Sequence, residues 1–269
     1  MRRRALLAAL AAAPLTAGRL TMAAPLPPAL FVAAHPDDEL LSMGVAIAEH
    51  VAFGRDVHVL WLTDGGTTSA RNAINGTTTS SWWGVPHDPA AEGYAPLTVQ
   101  DCAAARIREA TNSVRLLATG HPAPITVHRA QLQDGAYTQF AAEAAIAAVA
   151  DLIAPGAPVH LKTHSWLVDN HPDHLAAGGA AKALNTADPS RYPAVRYYVQ
   201  STYWADARLA QVADTFDLPT DAGITARVRA ACRAYGAWAP AQGVYAVGMH
   251  SVSGLFNTLV ADPKCKVHP

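Results

Sequence analysis

Cysteine is nearly absent: the 269 residues contain three, at positions 102, 232 and 265, and none forms a CxxC pair, which argues against a thiolate metal site. In an exported protein Cys232 and Cys265 are candidates for a disulfide that would leave Cys102 free, but spacing alone leaves the connectivity open. Excess charge is absent too. The net charge of -1 gives no electrostatic reason to expect nucleic acid as a partner. No apolar stretch is long enough to span a bilayer comfortably, because the run that begins at Ala5 is interrupted by Pro14 and Arg19, so no stable membrane insertion is expected. No GxGxxG follows the first predicted strand, and dinucleotide binding has no support. Internal repeats and disorder-prone composition are missing as well.

What is present is a chain that is 51% hydrophobic, enough for a sizeable core, and of a length that suits one α/β domain. The N-terminus reads as a signal peptide over residues 1–23: Arg2, Arg3 and Arg4 precede an apolar Ala/Leu stretch, and Thr21-Met22-Ala23 offers small residues for cleavage. The arginines followed by Ala5-Leu6-Leu7 also resemble a twin-arginine signal. The expectation is a secreted protein with a single domain over residues 24–269.

Hydrophobic periodicity predicts strand 29–34, helix 40–53 and strand 57–62, one βαβ unit and hence parallel strands. Residues 67–97 are rich in Thr, Ser, Gly and Pro and carry Trp82, Trp83, His87 and Tyr94. A loop this long is usually functional or disordered; its aromatic residues suit either an ordered surface near a ligand or a packing anchor. A helix follows at 99–117, a strand at 125–130, a turn at Asp134-Gly135, a buried Ala-rich helix at 140–153 and a strand at 159–162 that runs into Thr163-His164. Further elements are a helix at 175–184, a strand at 197–203, a helix at 224–235 and mixed strand or loop to the end. The pattern predicts a Rossmann-like, doubly wound, mostly parallel sheet with helices on both faces and a site at the carboxyl ends of the strands.

Two polar clusters interrupt this pattern at strand ends. His35-Pro36-Asp37-Asp38-Glu39 follows the first strand, and His171-Pro172-Asp173-His174 precedes a helix late in the chain. Alone, the first could be an acidic helix cap after a histidine. Together they can supply two histidines and a carboxylate, the three N or O ligands that a catalytic zinc takes while keeping one position open.

The combination of HPDDE at 35–39, TDG at 63–65 and HPDH at 171–174, with Arg106-x-x-Glu109 between them, resembles the LmbE-like or PIG-L zinc deacetylases. Residues 67–97 and those after about 205 match nothing in that pattern. The resemblance implies that His35, Asp38 and His174 bind Zn2+. Asp37 would be the general base that takes a proton from the attacking water, and His171 would stabilise the oxyanion and protonate the leaving amine. Asp173 would orient a histidine, and Glu39 would cap the helix. Arg71 is a candidate substrate contact or a solvated surface arginine; Asp64 either touches ligand or completes its turn. His164 reads as a structural, hydrogen-bonding histidine. His50, His58, His121, His128 and His250 read as ordinary core or surface residues.

The resemblance further implies removal of an N-acetyl or other N-acyl group from an N-acetylglucosamine-type sugar on a small-molecule conjugate. Export and layout are similar to those of deacetylases of teicoplanin-type glycopeptide antibiotics. Two other readings stand beside it: a secreted carbohydrate-binding protein that retains a metal site without catalysis, and a zinc amidase of another acyl substrate. Intact Asp37 and His171 argue against the first, since binding needs neither base nor acid.

Overall fold

The computed structural model describes residues 26–122 and 124–269; the expected signal peptide lies outside the described residues. The all-apolar segment Ala29–Ala33 forms β1, buried at every position, as a strand covered on both faces must be. Beside it run β2 (Val57–Trp61), β3 (Thr126–Arg129), β4 (His160–His164) and β5 (Val195–Val199), all parallel. Strand β6 (Thr215–Asp217) and the C-terminal β9 (Cys265–His268) complete the sheet in the order β3-β2-β1-β4-β5-β9-β6, with β9 antiparallel to both neighbours. A separate small hairpin joins β7 (Trp238–Ala239) to β8 (Val244–Tyr245). The chain winds outward from β1 in both directions, so the switch point of this doubly wound sheet lies between β1 and β4, where a crevice is expected.

Helices cover both faces. On one, α2 (Gly44–Ala52), α4 (Val99–Leu117), α7 (Ala222–Ala234) and α8 (Val247–Ala261) pack with Phe31, Val59 and Trp61. On the other, α5 (Gln139–Ile153) and α6 (Pro172–Ala187) pack with Leu30, Val32 and Leu161. The alternation along β1 divides its side chains between these two cores. Helix α4 begins where the sequence places it because Thr98 and Asp101 form a reciprocal capping box. Two short helices, α1 (Asp38–Leu41) and α3 (Ala70–Ile74), sit near the carboxyl ends of the strands.

Several expectations are corrected. The single helix expected over 40–53 is two, α1 and α2, broken at Ser42-Met43. Helix α5 buries only Ala142, Ile146 and Ala150 and leaves Phe140 79% exposed, so its alanines reflect helix propensity rather than burial. The strand expected over 197–203 ends at Val199, one residue past the pairing of Tyr198 with the last residue of β4, and continues as a 3-10 turn, Ser201–Tyr203. The C-terminal region, expected as mixed strand or loop, holds α8 and the inserted strand β9. Cys102, Cys232 and Cys265 are all free and buried, so no disulfide joins the last two. Among the described residues no helix is long and apolar enough to cross a membrane.

Candidate metal centre

Both polar clusters emerge at the carboxyl ends of strands on either side of the switch point. One oxygen of Asp38 gathers them: Oδ2 lies 3.1 Å from His35 Nδ1 and 3.2 Å from His174 Nε2, and it accepts the His35 N–H at 2.9 Å. The three residues expected to hold a metal therefore meet, although 139 positions of chain separate the first from the last. His174 is aimed by a residue the sequence reading missed. Asp169 Oδ2 lies 2.9 Å from its Nδ1, which leaves Nε2 for Asp38. A carboxylate behind a ligating imidazole fixes its tautomer and raises its basicity. Asp173 does the same for His35: its Oδ2 is 3.2 Å from His35 Nε2 and also accepts the Gly135 N–H at 2.8 Å. Asp134, read from sequence only as a turn, lies 3.4 Å from the same nitrogen.

His164, at the end of β4, stacks on His174 with ring centres 4.0 Å apart. Its Nε2 accepts the Ala34 N–H at 3.2 Å, so the structural role expected of it stands, while it also comes within 3.5 Å of Asp38. Gly178 makes this packing possible, since a Cβ there would stand 2.7 Å from the His164 carbonyl oxygen.

The charges fit a divalent cation. Burial alone would raise the Asp38 carboxyl, but the His174 and His164 imidazoles outweigh it and hold the group well below the usual range. Burial likewise opposes protonation of His35 and His174, yet Asp134, Asp173 and Asp38 raise His35 well above its ordinary value, and Asp38 with Asp169 raises His174 to about 9. Carboxylates thus compete for positive charge in a buried space lined by nitrogen and oxygen donors, and Asp173 Oδ1 is buried without a partner among the described residues. Donor groups whose ligand atoms lie within 4.8 Å of one another include His35 with His171 and His174, Asp38 with His164 and His174, and His35 with Asp134 and Asp173. This is the hard-to-borderline N/O set that zinc accepts.

Asp37 sits beside the donors without joining them. It is 3% exposed, and its backbone φ of 151° is a conformation that L side chains rarely adopt, a strain of about 1–3 kcal/mol that tends to mark functional positions. Arg106 from α4 holds it there, donating Nη2 to Asp37 Oδ2 at 2.7 Å, Nε to the Pro36 carbonyl at 2.9 Å and Nη1 to the Gly65 carbonyl at 3.0 Å. Burial raises the Asp37 carboxyl, and Arg106 opposes that rise. Gly65 has a φ of +64°, and a Cβ on it would stand 2.5 Å from the guanidinium, so the glycine of the TDG motif is the clearance for Arg106. The Asp64 carboxylate instead takes a two-point ion pair from Arg129, at 3.0 and 2.6 Å.

Glu39 does bond the N–H of Asp37, as a cap would, but it is fully buried and also accepts from Trp61 Nε1 at 2.9 Å and Tyr235 OH at 2.8 Å. It anchors the HPDDE turn to the core. Three residues along α4 from Arg106, Glu109 accepts the first two N–H groups of α8, from Val247 at 2.8 Å and Gly248 at 3.1 Å. The Arg-x-x-Glu segment therefore grips the HPDDE turn with one residue and α8 with the other.

The cavity over these groups has a volume of about 500 Å³; His35, Asp37, Asp38, His171 and His174 form its floor. Its walls carry the uncharged polar side chains of Thr67, Thr68, Asn170, Gln200, Tyr203 and Ser251, together with the charged Arg106, Asp134 and Asp169. His171 is the N-cap of α6, and its Nδ1 accepts the Asp173 N–H at 3.2 Å, which puts the proton of the neutral ring on Nε2. Burial, then His174 and His35, lower its pKa. Neither Arg71 nor Asp64 lines this cavity. The loop 67–97 contributes Thr67–Ser69 to the rim, but its aromatic residues are an anchor: His87 is sandwiched between Trp83 and Trp238, with ring centres 4.7 and 4.3 Å away. His250, read as ordinary, belongs to the same knot, 3.3 Å from His87 and 2.8 Å from Ser80 Oγ.

The site is thus a histidine–carboxylate cage at the switch point of a doubly wound sheet, with a further carboxylate and imidazole facing the same cavity. The family model of GlcNAc-PI de-N-acetylase, PIG-L, matches residues 30–185, and the chain belongs to this PIG-L/LmbE family. No curated protein matches significantly. Crystal structures similar to the chain include the zinc-inhibited form of teicoplanin deacetylase, with 16% identity, a TM-score of 0.59 and coverage of 90% of this chain and 97% of that one. The deacetylase of the A40926 pseudoaglycone shows 17% identity, a TM-score of 0.58 and coverage of 90% and 96%. The 4-carboxy-2-hydroxymuconate hydratase of Pseudomonas putida shows 18% identity, a TM-score of 0.56 and coverage of 90% and 95%. At these identities the likeness shows the fold, which therefore carries more than one reaction.

Proposed function

We propose that the protein is a zinc-dependent N-deacylase that removes acetyl from an N-acetylglucosamine-type sugar carried on a larger small molecule, with a glycopeptide scaffold as the first candidate. The observation that carries this reading is Asp37: a buried, backbone-strained carboxylate, held by Arg106 and facing the cavity beside the metal donors without being one of them. Asp38, His174 and His35 would hold the ion. A bound zinc supplies a Lewis acid that polarises the amide carbonyl and makes water a nucleophile near neutral pH.

The chain's own residues account for the proton traffic. Asp37 accepts a proton from the attacking water as its oxygen bonds to the carbonyl carbon. His171 presents Nε2–H to the oxygen on which charge develops. As the C–N bond breaks, the proton that Asp37 took from the water passes to the nitrogen, so that amide and water become acetate and amine. The hydroxyl and amide side chains of the cavity wall suit sugar hydroxyls, and the similarity to antibiotic deacetylases supports a bulky conjugate. Export, read from residues 1–23, remains part of the proposal. Incubation of the purified protein with N-acetylglucosaminyl conjugates and glycopeptide pseudoaglycones should give a mass loss of one acetyl group, and Asp37→Asn should lose it while keeping its metal. A protein inactive on every amino sugar, or fully active as Asp37→Asn, overturns the proposal.

A further inference from the structure

Beside the cavity over the metal donors lies a second one of about 480 Å³, and the two share Gln200 and Val252 as lining residues. Its volume falls within the range of about 300–1,000 Å³ typical of small-ligand sites. Two breaks in regular structure build it. Strand β5 stops at Val199 and turns through Ser201–Tyr203, which sets Trp204 in the cavity wall. Helix α8 leaves helical geometry at Val252, with a φ of -142° and a ψ of 46°. Ser251, before the break, lines the first cavity, whereas Gly254, Leu255 and Thr258, after it, line the second.

Among the described residues no charged side chain lines this second cavity, and Gln200 is its one amide. Trp204 is held in place before any ligand arrives: its Nε1 donates to the Val199 carbonyl at 2.9 Å, and its ring meets Phe216 edge to face with centres 5.1 Å apart. Gly254 is the sharper signal. A glycine inside a helix weakens it, and packing gives no reason for this one, since a Cβ there would meet nothing within 4 Å among the described residues. The Thr258 hydroxyl, one turn on, already donates to the Gly254 carbonyl at 3.0 Å. What is left is an open, uncharged space with a fixed aromatic wall. A pyranose, with several hydroxyls to satisfy, finds few partners there beyond Ser201 and Thr202. An aryl ring can cover Trp204 and Leu255 without leaving a polar group unpaired.

Given the deacetylase activity proposed above, we infer that this cavity is a subsite for the group bonded glycosidically to the N-acetylated sugar, and that this group is an uncharged aryl ring. The cavities adjoin at Gln200 and Val252, so one molecule can lay its acetamido group over the metal donors and its aryl group beside Trp204. Steady-state deacetylation of phenyl and methyl N-acetylglucosaminides by the zinc-loaded full-length protein should give the phenyl compound a kcat/KM higher by about tenfold or more, carried by KM. Gly254→Leu fills the space at an exposed helical position where an added Cβ meets no neighbour and leucine favours the helix; it should bring the two substrates to about equal kcat/KM. Trp204→Ala should do the same. Equal kcat/KM for the two glycosides in the wild-type protein, or a phenyl advantage that survives Gly254→Leu, overturns the proposal. So does a preference for N,N'-diacetylchitobiose over the phenyl glycoside that Gly254→Leu abolishes, which would assign the cavity to a second sugar. A protein inactive on all three removes the deacetylase reading, and calorimetric titration with the phenyl glycoside then decides the subsite: it is overturned if Gly254→Leu binds that compound as tightly as the wild type.

Discussion

Replacing Arg106 with methionine keeps most of the side-chain volume and removes three buried hydrogen bonds, one of them to the carboxylate of Asp37. Two backbone carbonyls and one largely buried carboxylate would lose their donor. Breaking a buried pair in this way costs about 3–5 kcal/mol, readable as a lower urea midpoint at unchanged slope. The sharper consequence is chemical. Burial already raises the Asp37 carboxyl, and Arg106 is the main group holding it down. A charge-assisted hydrogen bond contributes about 1.5–3 kcal/mol, and one pKa unit corresponds to 1.36 kcal/mol, so the acid limb of kcat/KM should move upward by about one to two units. Arg106→Lys keeps the charge without the planar fork and should move the limb by less. The measurement is the pH profile of deacetylation beside urea unfolding. A destabilised variant whose acid limb stays in place would refute the reasoning, leaving Arg106 a scaffold residue and removing Asp37 as the titrating base.

His174→Ala should bind less than half an equivalent of zinc by atomic absorption; full stoichiometry would remove His174 from the ligand set. In chelated protein the buried carboxyls of Glu39 and Glu109, each raised to about 8 chiefly by burial, hold protons at a pH where the unfolded chain has lost them. Stability present at lower pH is therefore lost as pH rises toward 8, and the urea midpoint should fall between pH 6.5 and 8; a flat or rising midpoint would contradict the burial argument. Trp238→Ala should open one side of the His87 sandwich, costing somewhat less than the about 3–5 kcal/mol of a fully buried tryptophan, and should expose residues 67–97 to limited proteolysis before the rest of the chain unfolds.

The half of the molecule governed by parallel strands was legible from sequence. Apolar runs such as Ala29–Ala33 read as buried strands, and the polar residues that follow the runs at β1 and β4 come out at the crevice. What escaped were contacts set by side chains far apart in sequence. Asp169 carries no pattern of its own, and its role exists only because α6 brings His174 back over it. Asp64 has the composition of a ligand contact, but Arg129 arrives from β3 to neutralise it. Glu39 reads as a helix cap from its position and becomes a core anchor only when Trp61 and Tyr235 supply donors. The tryptophans of loop 67–97 were ambiguous for the same reason, since Trp238 and His250, which decide their role, lie some 150 residues later.

The boundary of the family match gives the cavity a division of labour. Residues 30–185 supply every candidate metal donor and the candidate base, whereas Gln200, Tyr203, Ser251 and Val252, which also line the cavity, come from beyond that boundary. The two portions are joined at the site through one helix, by Arg106 on the reactive turn and Glu109 on the start of α8. One wall of the cavity is thus adjustable apart from its floor: changes in the last 70 or so residues would reshape that side while Glu109 keeps the start of α8 in place. Substrate range in such an architecture can drift quickly while the reaction stays the same.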